Sequence, residues 1–256
     1  MIRNLYPESR RQELLRLIHQ QGQVTVSELS EKYRVSEVTI RSDLQFLHEQ
    51  GLIIRTHGGA ILADKVPDLS LNLRRLQQVE EKNRIGKAAA KFVSNGEAIF
   101  LDTSSTALAL ANNLKAHRDL TVITNSLAIA QLFLDTVSVT VVVIGGTLQR
   151  DTASFVGVAG IDLVRKFNIQ KGFFGAHGIS IPEGLTDVSA AEADFKKEMV
   201  LLCKKVICII DSTKWGKVGL ASFASIDQIH MIVTDSHVTN PIYEHIVSKN
   251  IPIIRA

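Results

Sequence analysis

Residues 24–60, VTVSELSEKYRVSEVTIRSDLQFLHEQGLIIRTHGGA, decide how this chain is read. Val24 and Val26 alternate, and Ser27 is placed to cap a short helix that turns Leu29 and Tyr33 inward. Arg34-Val35 supplies a tight turn. Ser36 then predicts the N-cap of a second helix, with Glu37 in its first turn, where a carboxylate suits the helix dipole. Along that helix Ile40, Leu44 and Leu47 repeat at i, i+4 and i+7 and form one buried stripe. The other face carries Thr39, Arg41, Ser42 and Gln45, the side chains that meet phosphate oxygens and base edges in a major groove. Gly51 ends the helix, and Leu52-Ile53-Ile54 with Arg55, Thr56 and His57 reads as a small hairpin wing closed by Gly58-Gly59. An amphipathic helix pair with a solvated face would share the periodicity. It would not need the cap, the turn, the Thr-Ile-Arg run and a basic Gly-Gly wing in this order and at this spacing.

The segment therefore predicts a winged helix-turn-helix DNA-binding domain over residues 1–62, with its helix-turn-helix at 24–43. The DNA-binding candidates are Ser36, Thr39, Arg41, Ser42, Gln45, Arg55 and His57. A first helix over 7–21 precedes it, with Leu14, Leu17 and Ile18 on one face and Gly22 as its stop. Charge is compatible with DNA binding without arguing for it. The whole chain carries only +3, and in the first sixty residues basic side chains barely outnumber acidic ones. Placement matters more: Arg10, Arg11, Arg41 and Arg55 fall at helix starts, on the reading face and in the wing.

This stretch resembles the DeoR-type (DeoR/GlpR-like) bacterial transcriptional regulators. Their pattern runs Val-Ser-x-x-Thr-Ile-Arg-Arg-Asp-Leu, then Gly-Leu, a basic residue and His-Gly-Gly-Ala. Here it stands as Val35-Ser36-Glu37-Val38-Thr39-Ile40-Arg41-Ser42-Asp43-Leu44, with Gly51-Leu52, Arg55 and His57-Gly58-Gly59-Ala60. The departure is Ser42, where the family usually has a second arginine. One guanidinium fewer bears on operator sequence or affinity, not on groove binding.

The remaining 79–256 has a different grammar. GEAIFLD, LTVITN, SVTVVVIGG, KGFFGAHG, KVICIID and HMIVTD are short apolar runs, each ending at a polar or glycine-rich turn. Helical stretches near 105–115, 126–135, 190–203 and 240–249 alternate with them. That alternation predicts an α/β domain with a doubly wound, mostly parallel sheet. Residues 63–78, with Pro67 and mixed charges, read as a linker or connecting helix.

Ligands of such sheets bind beyond the carboxyl ends of the strands, at a topological switch point. The residues at those ends are Asp102 with Ser104, Ser105 and Thr106; Asn125; Gly145 and Gly146; His177; and Asp211 with Lys214. Hydroxyls and free N–H groups at a helix start suit a phosphate, and Lys214 adds a point charge. Asp102, Asn125 and Asp211 have the chemistry for sugar hydroxyls, while paired glycines admit a ligand close to the backbone. Singly, each of these polar residues also reads as an ordinary helix cap, and Gly145-Gly146 as an ordinary turn. Their recurrence at successive strand ends is what favours an effector pocket.

The DeoR resemblance extends over this half too. Those regulators carry an effector domain similar to ribose-5-phosphate isomerase, and the corresponding motifs are Glu81-Lys82, Leu101-Asp102, Thr124-Asn125-Ser126, Gly145-Gly146, Phe174-Gly175 with Gly178, and Asp211-Ser212-Thr213-Lys214. The family often has glycine where Ser104 stands. The resemblance implies a phosphorylated sugar as effector, double-stranded operator DNA as partner, a homo-oligomer (dimer or tetramer), and repression of a carbohydrate operon.

An isomerase-like enzyme fused to a DNA-binding module is the rival reading, and a purely dimerising domain a third. Proton transfer would call for paired carboxylates. Phe174-Gly175-Ala176-His177-Gly178 contains none, and Glu183 and Asp187 follow on a Pro- and Gly-containing loop with no evident geometry. No catalytic residue, cofactor or metal site is expected. Cys203 and Cys208, on or beside an apolar strand, read as buried reduced thiols. With no membrane-length apolar run and no signal-peptide core, a cytoplasmic location is expected.

Overall fold

The computed structural model describes residues 6–50, 52–56, 58–62, 71–157, 160–238 and 241–256. They fall into two compact units, Met1–Arg74 and Arg75–Ala256. Gly51, His57 and residues 63–70 of the expected linker lie outside the described residues.

In the first unit the order is α1 (Pro7–Gln21), β1 (Gln23–Thr25), α2 (Val26–Tyr33), α3 (Glu37–Glu49), β2 (Ile53–Thr56) and β3 (Gly59–Leu62). Pro7 opens α1, where its missing N–H costs nothing, and Gly22 at φ 76° closes it. The cap of α2 is Thr25, not Ser27. The Thr25 hydroxyl accepts from the Glu28 N–H at 3.3 Å, and the Glu28 carboxylate accepts from the Thr25 N–H at 3.2 Å. The helix begins two residues earlier than a Ser27 cap would place it, and Val26 is buried in the core from the first helical position. Arg34 makes the turn in the left-handed region at φ 53°, and Ser36 caps α3 by accepting from the Thr39 N–H at 3.2 Å.

The wing is an antiparallel three-stranded sheet in the order β1-β3-β2, in register Val24↔Ala60 and Arg55↔Ala60. Gly59 is required there: a Cβ on it would lie 1.9 Å from the Val24 carbonyl oxygen. Leu14, Ile18, Leu29, Ile40, Leu44 and Ile53 fill the core of this unit. Burial of this stripe is the main stabilising term; truncating any one of them to alanine typically costs about 2–5 kcal/mol.

The second half of the chain runs α4 (Leu71–Leu76), α5 (Val79–Ala90), β4 (Ala98–Leu101), α6 (Ser105–Asn112), β5 (Leu120–Thr124), α7 (Leu127–Leu132), β6 (Val139–Val143), β7 (Thr147–Gln149) and β8 (Ser154–Val156). It continues with α8 (Ile161–Val164), β9 (Lys171–Phe174), β10 (Gly178–Ser180), β11 (Gly184–Asp187), α9 (Ala190–Leu202), β12 (Val206–Ile209), β13 (Ala221–Ala224), β14 (Met231–Thr234), α10 (Pro241–Ser248) and β15 (Ile253–Arg255).

Seven of these strands form one parallel sheet, ordered β15-β14-β12-β9-β4-β5-β6. Its central strands are buried on both faces, which is why they read as unbroken apolar runs. Ile99 and Leu101 serve one core with Ile85, Leu110 and Phe173, while Phe100 serves the other with Phe174, Met199 and Ile232. From β4 the chain winds outward through β5 to β6. From β9 it winds the opposite way through β12 and β14 to β15. The switch point therefore lies between β4 and β9.

Two features depart from the sequence expectation. Residues 178–187, read as a loop, form β10 and β11, which join β13 in an antiparallel sheet ordered β10-β11-β13. Residues 147–156 form the β7–β8 hairpin. Both consist of three- or four-residue strands rich in Gly, Ser and Thr, where propensity is weak.

Candidate functional site: a reading helix and a strand-end cluster

The exposed face of α3 presents Glu37, Val38, Arg41 and Ser42, while Ile40, Asp43, Leu44 and Leu47 turn inward. Arg41 Nη2 lies 2.6 Å from Glu37 Oε2 in a solvent-exposed i,i+4 pair. Such pairs contribute about 0.3–0.5 kcal/mol, so the guanidinium is readily exchanged onto a phosphate or a guanine edge. Arg55 on β2 donates to the Gln45 side-chain carbonyl, and Gln45 donates to Glu49 at 2.7 Å, which joins the wing to α3. Thr39 is half-buried, and its hydroxyl lies 2.9 Å from that of Ser36, so it reinforces the cap. His57 lies outside the described residues.

Sequence reasoning missed Val38. It is 72% exposed beside Arg41, an apolar group of the kind that contacts a thymine methyl. Its signal was available, since it falls off the i, i+4, i+7 stripe. Arg10 corrects the expectation in the other direction. It is buried, with Nε 2.6 Å from Asp43 Oδ2, while Arg11 Nε reaches Asp43 Oδ1 at 2.9 Å and its guanidinium sits 4.0 Å over the Phe46 ring. Both arginines leave α1 to fix α3 from behind.

In the second unit Asp102 stands at the switch point. Its Oδ1 accepts from the Ser104 N–H at 3.0 Å and the Ser104 hydroxyl at 2.6 Å. Oδ2 accepts from the Gly175 N–H at 2.8 Å and meets Lys196 Nζ at 2.9 Å. The carboxylate thus ties the end of β4 to the end of β9. Only glycine fits at 175, since a Cβ there would lie 2.5 Å from the Ser104 hydroxyl oxygen. Ser104 also caps α6 by accepting from the Ala107 N–H at 3.0 Å. Ser105 and Thr106, both buried, occupy the first turn, whose N–H groups have no partner within the helix.

Asn125, after β5, donates from Nδ2 to the Phe155 carbonyl at 2.9 Å, and its Oδ1 is buried with no hydrogen-bond partner. Gly145 is open, whereas a Cβ on Gly146 would lie 2.3 Å from the Val156 carbonyl oxygen. His177 is half-buried at the end of β9, its N–H on the Thr186 carbonyl at 2.9 Å. Asp211 is buried and accepts from the Thr213 N–H at 3.1 Å and from the Thr213 hydroxyl, and Lys214 follows within that one-turn 3-10 helix. The helix-cap reading thus describes Asp211 directly, whereas the cap of α6 is Ser104 and not Asp102.

Three residues of this network escaped sequence reasoning. Lys196 on α9 is buried between Asp102 and Asp187, 2.8 Å from Asp187 Oδ2 and 3.0 Å from the Gly175 carbonyl. Burial alone would lower its pKa, but the carboxylates of Asp102, Asp187 and Glu192 overcompensate and hold it above the usual lysine value. Asp187, expected on a loop without geometry, lies on β11 and belongs to this triad. Glu192 accepts from the Ser154 hydroxyl at 2.9 Å, and Ser154 pairs with Ser126 across an isolated bridge. The overlooked signal was periodicity. Lys196 shares its stripe with Ala193, Met199 and Val200, and a charge on an apolar stripe marks a buried partner.

Cys203 and Cys208 are buried free thiols. Burial pushes Cys203 up to about 12 and raises Cys208 further, so neither is a nucleophile near neutrality. Among the described residues no acidic, histidine or cysteine cluster is suited to a metal, and no helix is long and apolar enough to cross a membrane. A cleft of about 950 Å³ opens between the β7–β8 hairpin, α8 and α9. None of the residues expected to hold the effector lines it, and its Arg165 is paired with Glu198 at 3.3 Å.

Comparison with known proteins completes the picture. The DeoR-like helix-turn-helix domain matches residues 10–66, and the DeoR C terminal sensor domain matches residues 77–236. The chain is 34% identical to the HTH-type transcriptional regulator GolR of Listeria innocua, over 97% of this chain and 98% of that one. It is 31% identical to the glycerol-3-phosphate regulon repressor of Escherichia coli, over 87% and 88% of the two chains. It is 33% identical to the HTH-type transcriptional repressor GlcR of Bacillus subtilis, over 90% and 89%. Ribose 5-phosphate isomerase A of Methanocaldococcus jannaschii overlaps 54% of this chain and 55% of its own at 16% identity and a TM-score of 0.41, too distant to bear on function. These relatives are regulators of transcription rather than enzymes. With both domains matched in order along the chain, the protein belongs to the DeoR family of helix-turn-helix transcriptional regulators.

Proposed function

We propose that the protein is a repressor of a carbohydrate operon, reading operator DNA as a homo-oligomer and switched by a phosphorylated sugar at the strand ends of its sensor domain. For DNA, Arg41, Ser42 and Gln45 face base edges and phosphates from α3, Ser36 and Thr39 hold its N-terminus, and Arg55 with the His57 segment serves the wing. The observation that carries the sensor half is the buried, unpartnered Oδ1 of Asn125, at the end of β5 beside the end of β4, since Thr124 pairs with Leu101. An orphaned buried acceptor costs about 1–3 kcal/mol, which a ligand hydroxyl would recover.

Both oxygens of Asp102 carry two donors each, so Asp102 organises the site rather than meeting the ligand. Ser105 and Thr106, with their N–H groups, and Lys214 serve the phosphate. Asn125, His177 and Asp211 serve hydroxyls, and Gly145 and Gly146 leave room at the backbone. One relative is by name the repressor of the glycerol-3-phosphate regulon. That supports a small phosphorylated carbohydrate.

The test is fluorescence anisotropy on DNA from upstream of the protein's own gene, with a panel of glycerol, triose, pentose and hexose phosphates. Salt-dependent, sequence-selective binding shifted by one of them, with a coupling of about 1–3 kcal/mol, is the expected result. Asn125→Ala and Lys214→Ala should abolish the response and leave DNA affinity intact. A full response in both variants overturns the site.

A further inference from the structure

The seven-stranded sheet has two edges, and only one of them is defended. β15 is three residues long, follows Pro252 and ends in Arg255, whose guanidinium stacks 4.3 Å over Tyr243. Shortness, a proline and a charge are the usual protections of an exposed edge. The opposite edge, β6, has none. It is Val139-Thr140-Val141-Val142-Val143, five residues long, and no Lys, Arg, Asp or Glu occurs between Asp135 and Arg150.

Among the described residues no strand pairs with its outer side. The Ile144 N–H donates to the Thr124 carbonyl, which sets the parallel alternation so that Val142 bonds inward to β5 while Val139, Val141 and Val143 turn outward. Among the described residues β6 pairs with β5 alone. Next to it, Leu134 is 79% exposed and Val137 wholly exposed, and Val143 is exposed at the far end. A long, uncharged, valine-rich edge flanked by bare aliphatic side chains is an aggregation site unless something covers it.

We propose that β6 is the surface through which two copies of this chain join, pairing antiparallel across a two-fold axis centred on Val141. The strand is complementary to itself. With Val141 opposite its own copy, both Val141 residues exchange N–H and C=O bonds, and each Val143 N–H reaches the partner's Val139 carbonyl. That makes four bonds about the axis. The Val139 N–H is not needed, since it already donates to the Thr136 carbonyl at 3.1 Å. The neutral edge favours this occupant too, because a two-fold axis places like beside like and any charge would face its own copy. The inference rests on the oligomeric reader proposed above and names its surface.

The test is Val141→Pro in the full chain, followed by sedimentation equilibrium and far-UV circular dichroism. The Val141 N–H points outward, so proline removes no bond within the sheet, while it deletes both central bonds of the pair and puts a ring in their place. Folded Val141→Pro should have half the wild-type mass, falling to the 28.2 kDa of one chain if the wild type is a dimer. Val143→Lys, at an exposed position, should do the same and decides the matter should the proline variant misfold. Unchanged mass in the folded variants overturns the surface but leaves the oligomer. A monomeric wild type overturns both.

Discussion

Each half of this protein buries one ion triad, and the two are inverses. In the reading unit one carboxylate, Asp43, sits between Arg10 and Arg11. In the sensor one ammonium, Lys196, sits between Asp102 and Asp187. The first joins helix to helix and is a quarter open to water at Arg11, whereas no member of the second exceeds 5% exposure. The first fixes the angle of a surface that must stay rigid. The second holds together two strand ends beside a site expected to respond to a ligand. Buried triads of this kind add little over apolar packing, yet removing one member is costly because the rest are left uncompensated.

That contrast can be broken experimentally, and the largest effect belongs to the dry triad. Lys196→Met leaves two carboxylates buried without their cation and should cost about 3–5 kcal/mol, read as a lowered urea midpoint of the sensor unit. The wild-type pH dependence sharpens the point. A lysine whose folded pKa is raised stabilises in full below about 10.4, its value in a free chain, and loses that contribution as pH climbs toward the folded value. The stability gap between wild type and Lys196→Met should therefore stay constant from neutrality to about pH 10 and narrow above it. A gap that narrows near neutrality would remove the ammonium from the account.

Asp43→Ala comes next, at about 3 kcal/mol, the lower end of the same range, because Arg11 can turn to solvent and only Arg10 stays trapped. Thermal unfolding of the reading unit measures it, and a cost equal to that of Lys196→Met would erase the distinction between the triads. Arg41→Ala tests the surface they serve. It should weaken operator binding by about 1–3 kcal/mol with no change in melting temperature, since the Arg41–Glu37 pair is exposed. Ser36→Ala is smallest, about 1 kcal/mol of stability from the lost α3 cap.

How much was legible in the sequence follows the same division. The reading unit was legible because its information is local: Ser36 three residues before the N–H it caps, a stripe at i, i+4, i+7, glycines at a tight wing. The error there, Ser27 for Thr25, was a matter of two residues. The parallel sheet was legible from its apolar runs and their polar ends. The Lys196 triad was not, because Asp102, just after β4, lies nearly a hundred positions before Lys196 on α9 and the short strand that carries Asp187. The composition of 178–187 gave no hint that Asp187 would lie on a strand.

The switch point carries one more consequence. The strands on either side of it come from two separate, uninterrupted stretches of chain, 98–143 and 171–255, and only the β4–β9 ladder connects them within the sheet. The sensor is thus two modules written one after the other, with the exposed Arg150-Asp151 turn between them. Cut at that turn, the pieces become candidates for a split reporter: two fragments that find each other across the seam, and whose reunion a molecule lodged there would favour.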